Sequence, residues 1–183
     1  LNEMAILDRN SGDYSKALGN LKKAIELAQE SDDTVSVIKC FITVGDVYSV
    51  LLNYDKAIGY YKEAFELNQG KQNALAISAL SRIGNRLMDK GREAKDTSFM
   101  LSAISSYLKA RTIAALSGNT PQYINSYVSL SDAYNIFGKA SGNEHHLYES
   151  LNYSMQSLQL AQAANLANYQ GISYLNLGEV YLS

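Results

Sequence analysis

Along most of the chain, apolar side chains recur at steps of three and four, the spacing that places them on one face of an α-helix. Residues 41–67, FITVGDVYSVLLNYDKAIGYYKEAFEL, show the pattern. Alanine, leucine, lysine and glutamate are abundant, Val/Thr alternations are few, and Pro121 is the only proline. This predicts an all-α fold with helix nearly throughout. One residue runs against its setting. Gly45 lies inside a helical stretch, where glycine costs about 1 kcal/mol relative to alanine, so something in the fold must need a bare backbone there.

The pattern also returns at long range. VGDVY at 44–48 is echoed by IGNRL at 83–87, LSDAY at 130–134 and LGEVY at 177–181, with a worn copy, MAILD, at 4–8. Three residues before the apolar position that opens each copy stands a bulky anchor: Leu1, Phe41, Leu80, Tyr127 and Tyr174. After every copy but the last comes a second signature on one helical face: Ala17, Leu21, Ala24; Ala57, Tyr61, Ala64; Ala103, Tyr107, Ala110; Ser150, Ser154, Ser157.

A large residue, a large–small pair and an aromatic, then small, aromatic, small, resembles the tetratricopeptide repeat, W-x2-L-G-x2-Y followed by A-x3-F-x2-A, over the whole chain. The resemblance implies a right-handed α-solenoid of antiparallel helix pairs. It divides into four repeats at about 1–32, 33–71, 72–118 and 119–166 and a terminal helix at 167–183, all in one array over 1–183. Gly45, Gly84 and Gly178, with Ala5 and Ser131 as substitutes, would sit where the partner helix crosses closely. Nine of the fourteen tyrosines (14, 48, 54, 61, 107, 127, 134, 174 and 181) fall at packing positions.

Anchor spacings of 40, 39, 47 and 47 residues exceed the usual length of about 34. They resemble the 40-residue subclass found in kinesin light chains, spindle-orientation adaptors and bacterial peptide receptors and sensor kinases. Seven further residues in each of the third and fourth repeats, around REAKDTS (92–98) and KASGNEH (139–145), are expected to enlarge the hairpin loops. Between repeats, Thr120 followed by Pro121 is expected to be an N-cap and first helical residue.

Charge and composition narrow the chemistry. A formal charge of -2 supplies no field that would hold the region on nucleic acid. No apolar run approaches the ~20 residues needed to span a bilayer, so no membrane contact by this region is expected. The single cysteine, Cys40, reads as a buried, inert thiol. His145 and His146 are adjacent, so on a helix they diverge by about 100° and cannot share a metal ion; they read as solvated loop residues. Lys90, Arg92 and Lys95 read as a solvated basic loop. No nucleophile, base and orienting group can be assembled, so no enzyme, cofactor or metal is expected. Cytoplasm and periplasm both remain open as compartments. The chain starts at Leu1 and ends mid-pattern, with no targeting segment, which reads as a piece of something longer.

In the resembled family, partners lie along the concave surface lined by the first helix of each repeat. Here that surface is expected to present Arg9, Lys39, Asp46, Ser49, Arg82, Asn85, Met88, Asp132, Asn135 and Glu179. The mixture of apolar and acidic positions suits an amphipathic or mildly basic protein or peptide segment and does not match the lysine-rich carboxylate clamp of chaperone-binding relatives. The expected role is a non-enzymatic scaffold, the interaction or sensory region of a larger bacterial signalling protein. The alternative is a homodimer formed through the apolar terminal helix 167–183.

Overall fold

The computed structural model describes residues 1–68, 71 and 73–182. Nine helices account for nearly all of them: α1 (Asn2–Asn10), α2 (Tyr14–Glu30), α3 (Thr34–Val50), α4 (Tyr54–Leu67), α5 (Ala74–Ala94), α6 (Thr97–Leu116), α7 (Thr120–Ser141), α8 (Glu144–Ala163) and α9 (Ala167–Tyr181). No strand occurs among the described residues.

Helix starts are set by side-chain caps. Asp13, Asp33, Asn53, Asn73, Asp96, Asn119 and Asn143 each accept a hydrogen bond from a backbone N–H of the following first turn. Each such cap is worth about 1 kcal/mol. The cap of α7 is therefore Asn119, one residue before the expected Thr120, and Pro121 follows in the first turn, where a missing N–H costs nothing. Reversals between helices use one left-handed residue each. Gly12, Asp32, Leu52, Gly118 and Asn165 occupy the centres of three-residue links, while Lys95 and Gly142 open two-residue links. The connection at NQGKQN is described only at Asn68, Lys71 and Asn73, where the Asn68 and Asn73 amides hydrogen-bond to each other.

The seven-residue insertions do not enlarge loops. Arg92–Ala94 belong to α5 and Thr97 and Ser98 to α6, leaving only Lys95 and Asp96 as the turn; in the next hairpin only Gly142 and Asn143 remain outside helix. The added residues lengthen both helices because seven residues are nearly two full turns, so every face keeps its orientation. A second close crossing then becomes possible seven residues after the first. A Cβ on Gly91 would lie 2.9 Å from Met100 Cγ, and one on Gly138 2.8 Å from Leu147 Cδ2.

Consecutive helices pack together, and α1, α3, α5, α7 and α9 also touch in series, whereas α2, α4, α6 and α8 do not approach one another. The odd-numbered helices thus form a closer-spaced inner layer and the array curves around them, giving an all-α solenoid. Its core is a succession of local clusters. Leu21, Cys40, Val44 and Val47 lie at one end, Ile38, Ile58, Tyr61 and Ile83 follow, and Met88, Met100, Tyr107, Leu130 and Phe137 come next.

At the crossings, glycine and tyrosine are complementary. A Cβ on Gly45 would lie 2.4 Å from Tyr61 Cε1, and one on Gly84 2.5 Å from Tyr107 Cε1. The α7/α8 crossing uses serine instead: Ser131 hydrogen-bonds to Ser150 and Ser154, and all three are fully buried. Gly178 departs from the expectation. A Cβ there would meet nothing within 4 Å, because no helix crosses α9 on that side among the described residues. Tyr174 and Tyr181 are accordingly exposed instead of packed.

Candidate functional site

The residue after each crossing glycine or serine points from the inner layer. Asp46 and Asn85 are held there by the tyrosines beneath them: the Tyr61 hydroxyl donates to Asp46 Oδ1 and the Tyr107 hydroxyl to Asn85 Oδ1, each at 2.7 Å. Burial pushes both phenols well above the ordinary tyrosine range, with the Asp46 charge adding to the rise at Tyr61 and the Asp132 charge at Tyr107. Asp46 also binds Arg9 at 3.2 Å and Arg82 at 2.8 Å, bridging α1, α3 and α5. Ser49 accepts from Arg86 at 2.7 Å. Arg9, Asp46 and Arg82 therefore form one cross-helix polar network whose carboxylate is already satisfied, while Ser49 is bonded through Arg86 to Asp89. Lys39 lies apart from it, exposed beside a separate hollow formed by the start of α1 and the end of α2.

The fourth repeat breaks this arrangement. The position of Tyr61 and Tyr107 is taken by Ser154, whose hydroxyl turns to Ser131, so Asp132 has no tyrosine beneath it. Asp132 instead faces a cavity of about 400 Å³ between α5, α7 and α9, bordered by Asn85, Met88, Asn135, Asn176 and Glu179, with Arg86, Asp89 and Arg92 on one wall. The groove is open above Asp132, which gives it a large accessible surface, while the protein on either side withholds water from its carboxylate. That desolvation, followed by the Glu179 charge, pushes its carboxyl up to about 6, against opposing effects of Asn176 and Arg92.

Asn135 is only 6% exposed and its Oδ1 has no hydrogen-bond partner; Asn176 is 8% exposed and its Nδ2 likewise lacks an acceptor in full hydrogen-bond geometry, although it lies near enough to favour the ionised form of Asp132. Such orphaned polar atoms are rare in folded proteins. Asp89 engages both arginines of the wall, Arg86 at 2.9 Å and Arg92 at 3.0 Å.

Of the ten residues expected on the concave surface, Asn85, Met88, Asp132, Asn135 and Glu179 gather at this cavity, Arg9, Asp46 and Arg82 form the second network, Ser49 is bonded to Arg86 of the cavity wall, and Lys39 belongs to none of these. Met88 and Asn135 are buried and form part of the floor, because neighbouring odd-numbered helices close over the side of the stripe on which they sit. Arg86, Asp89 and Asn176 escaped the sequence reading, which followed only the columns one step round from the anchors. Arg86, four residues after Arg82, was the detectable one, since a four-residue step stays on the same face.

Outside the groove, Cys40 is buried and burial raises its thiol pKa. His146 is not a solvated loop residue: it lies in the first turn of α8 and stacks on Phe137 with ring centroids 4.3 Å apart, because the lengthened α7 reaches it. Lys90 pairs with Asp55 and Arg92 with Asp89, so only Lys95 of the expected basic loop remains in a turn. No cluster of three or more metal-ligating residues occurs among the described residues. Among them, too, no helix is long and apolar enough to cross a membrane.

Residues 1–70 match the family model for the tetratricopeptide repeat. No match is found among curated proteins. Several solved structures share the fold. BtubC (BKLC) from P. vanneervenii superposes with a TM-score of 0.74 at 18% identity, covering 97% of this chain and 68% of that one. A kinesin light chain-like protein from Podosopora anserina with nearly identical TPR-like repeats gives 0.62 at 12%, covering 99% and 92%. The apo form of RapI gives 0.57 at 16%, covering 98% and 67%. Residues 1–70 thus match the tetratricopeptide repeat by sequence, and the helical-hairpin array that continues to α9 shares the fold of these TPR-like structures.

Proposed function

We propose that this chain is a non-enzymatic scaffold that binds a protein or peptide segment along the concave face of its inner helices, as the interaction or sensory region of a larger signal-transduction protein. The observation that carries this reading is the cavity between α5, α7 and α9, where the buried amide atoms Asn135 Oδ1 and Asn176 Nδ2 lack partners. Polar groups are rarely left unsatisfied in a surface that serves only as structure. The face is also electrostatically graded. Arg9 and Arg82 share a single carboxylate toward the N-terminal end, while Asp132 and Glu179 stand together toward the C-terminal end. A segment with its basic part toward α9 suits that gradient.

Selection of a random-peptide display library on the purified chain tests the proposal. Enriched sequences should lose binding when Asn85 and Asn135 are both replaced by alanine. Enrichment that survives this double substitution, or that maps to the outer helices, would contradict it.

A second reading, self-association through the terminal helix, rests on α9. Tyr174, Leu175, Tyr181 and Leu182 are all exposed there, Tyr181 at 76%, beside the open Gly178. Light scattering decides this point. A dimer that grows with concentration and is broken by Tyr181→Asp supports it, and a monomer at every concentration removes it.

A further inference from the structure

We propose that the cavity between α5, α7 and α9 is a subsite for an arginine side chain of the bound segment, whose guanidinium donates to the Asp132 carboxylate and to Asn135 Oδ1. The proposal rests on the groove being a binding face, and it adds which side chain is recognised and by what.

Three observations support it. First, Asp132 is the aspartate of its column that no tyrosine or arginine bonds, with only the Asn176 amide beside it. Asp46 and Asn85 are tied to Tyr61 and Tyr107, whereas Ser154 replaces that tyrosine in the fourth repeat and bonds to Ser131. Secondly, Asn135 stands three residues after Asp132 on α7, so the two share a face, and its buried Oδ1 lacks a donor. A carboxylate and an amide oxygen on one face of α7, both bordering the cavity, present acceptors to a ligand that has several N–H groups in a fixed plane. Guanidinium supplies five such donors in a rigid fork, whereas a lysine ammonium is a compact point charge. Thirdly, the wall's own arginines are committed. Arg86 and Arg92 both pair with Asp89, and with Asp132 and Glu179 the cavity carries three carboxylates against two guanidiniums. One incoming cation balances it.

The groups facing Asp132 are Arg86, Asp89 and Arg92 from α5, Tyr107 from α6 and Glu179 from α9. The Asp132 carboxyl is raised toward neutrality, so occupancy by a cation falls as pH drops through about 6.

The test is a titration of the isotope-labelled chain with N-acetyl-arginine amide, observed by NMR at the side-chain amide of Asn135. The expected result at pH 7.5 is a saturable shift of that signal. N-acetyl-citrulline amide, the neutral isostere, should bind about fivefold or more weakly, since hydrogen bonds to charged groups exceed neutral ones by roughly that margin. N-acetyl-lysine amide should also bind more weakly, and the arginine affinity should fall by a similar factor at pH 5. Asp132→Asn should weaken the arginine probe about tenfold. The citrulline and pH comparisons need no variant, so a folding failure of Asp132→Asn does not remove the test. Equal shifts from citrulline, equal binding of lysine, or no saturable shift at Asn135 would overturn the proposal. Display-selected peptides that occupy the groove without arginine enrichment would overturn the subsite alone and leave the binding face standing. Probe binding without any selected groove peptide would support the subsite and count against peptide capture.

Discussion

Replacing the crossing glycines by alanine should separate two effects that usually act together. At Gly45 the new methyl carbon would lie 2.4, 2.7 and 2.9 Å from three atoms of the Tyr61 ring, more than 0.5 Å inside ordinary contact at each of the first two. The ring has nowhere to withdraw. It is 1% exposed and its hydroxyl is bonded to Asp46 at 2.7 Å, so relief requires the α3/α4 hairpin to open. Overpacking of this kind costs about 1–3 kcal/mol, and three simultaneous overlaps against a tethered ring place it at about 3. Alanine returns about 1 kcal/mol through its better helix propensity. Gly45→Ala should therefore destabilise by about 2 kcal/mol, and Gly84→Ala, with its Cβ 2.5 Å from the Tyr107 ring, by a similar amount. Gly178→Ala occupies the same motif position but meets nothing within 4 Å, so only the propensity gain of about 1 kcal/mol remains and α9 should become more stable. Urea denaturation followed by circular dichroism measures the first two. Amide hydrogen exchange in α9 measures the third, because a terminal helix of a solenoid can open locally. If Gly45→Ala and Gly178→Ala shift stability in the same direction, the close-crossing explanation of these glycines is wrong.

Asp46→Ala strips a buried tyrosine of its acceptor and leaves Arg9 and Arg82 without their shared carboxylate. It should cost about 2 kcal/mol or more in urea unfolding, whereas Asp55→Ala, which removes an exposed partner of Lys90, should cost under about 1. Asp132→Asn should raise the melting temperature at pH 7.5. A carboxyl raised in the folded state binds its proton more tightly there than in the unfolded chain. Stability is thus favoured below the unfolded pKa of about 3.9 and lost as pH rises through about 6. The advantage of the asparagine variant should accordingly shrink as pH falls through about 6 and close near pH 4, as read by calorimetry across that range. Ser131→Val should destabilise the α7/α8 hairpin by more than 1 kcal/mol in thermal melts, since it removes the hydroxyl that bonds Ser154 and Ser150, leaving Ser150 only its bond to the Ser131 carbonyl, and adds bulk at a fully buried crossing.

The sequence by itself determined the helical class, the repeat period and the pairing of small with aromatic positions. Each of these is written in spacing along one or two helices, and helical geometry converts spacing directly into faces. That is why the packing roles of Gly45, Gly84, Tyr61 and Tyr107 are written in the sequence. The columns of the concave face were legible for the same reason, as was their broad mixture of apolar and acidic character.

Only the tertiary structure decided which of those columns are spent and which are free. Asp46 looked like Asp132 in the pattern, yet it is bound by residues 37 positions before and 36 after it, while Asp132 escapes because a single serine on the neighbouring helix has replaced a tyrosine. The insertions, too, became helix instead of loop because nearly two full turns preserve register across the hairpin and let Gly91 and Gly138 make second crossings. Whether a glycine is crowded depends on whether another helix lies against it. Gly178 shares the motif of Gly45 but meets open space. Periodicity specifies where a side chain points, and the neighbour it finds there is set by how the hairpins stack.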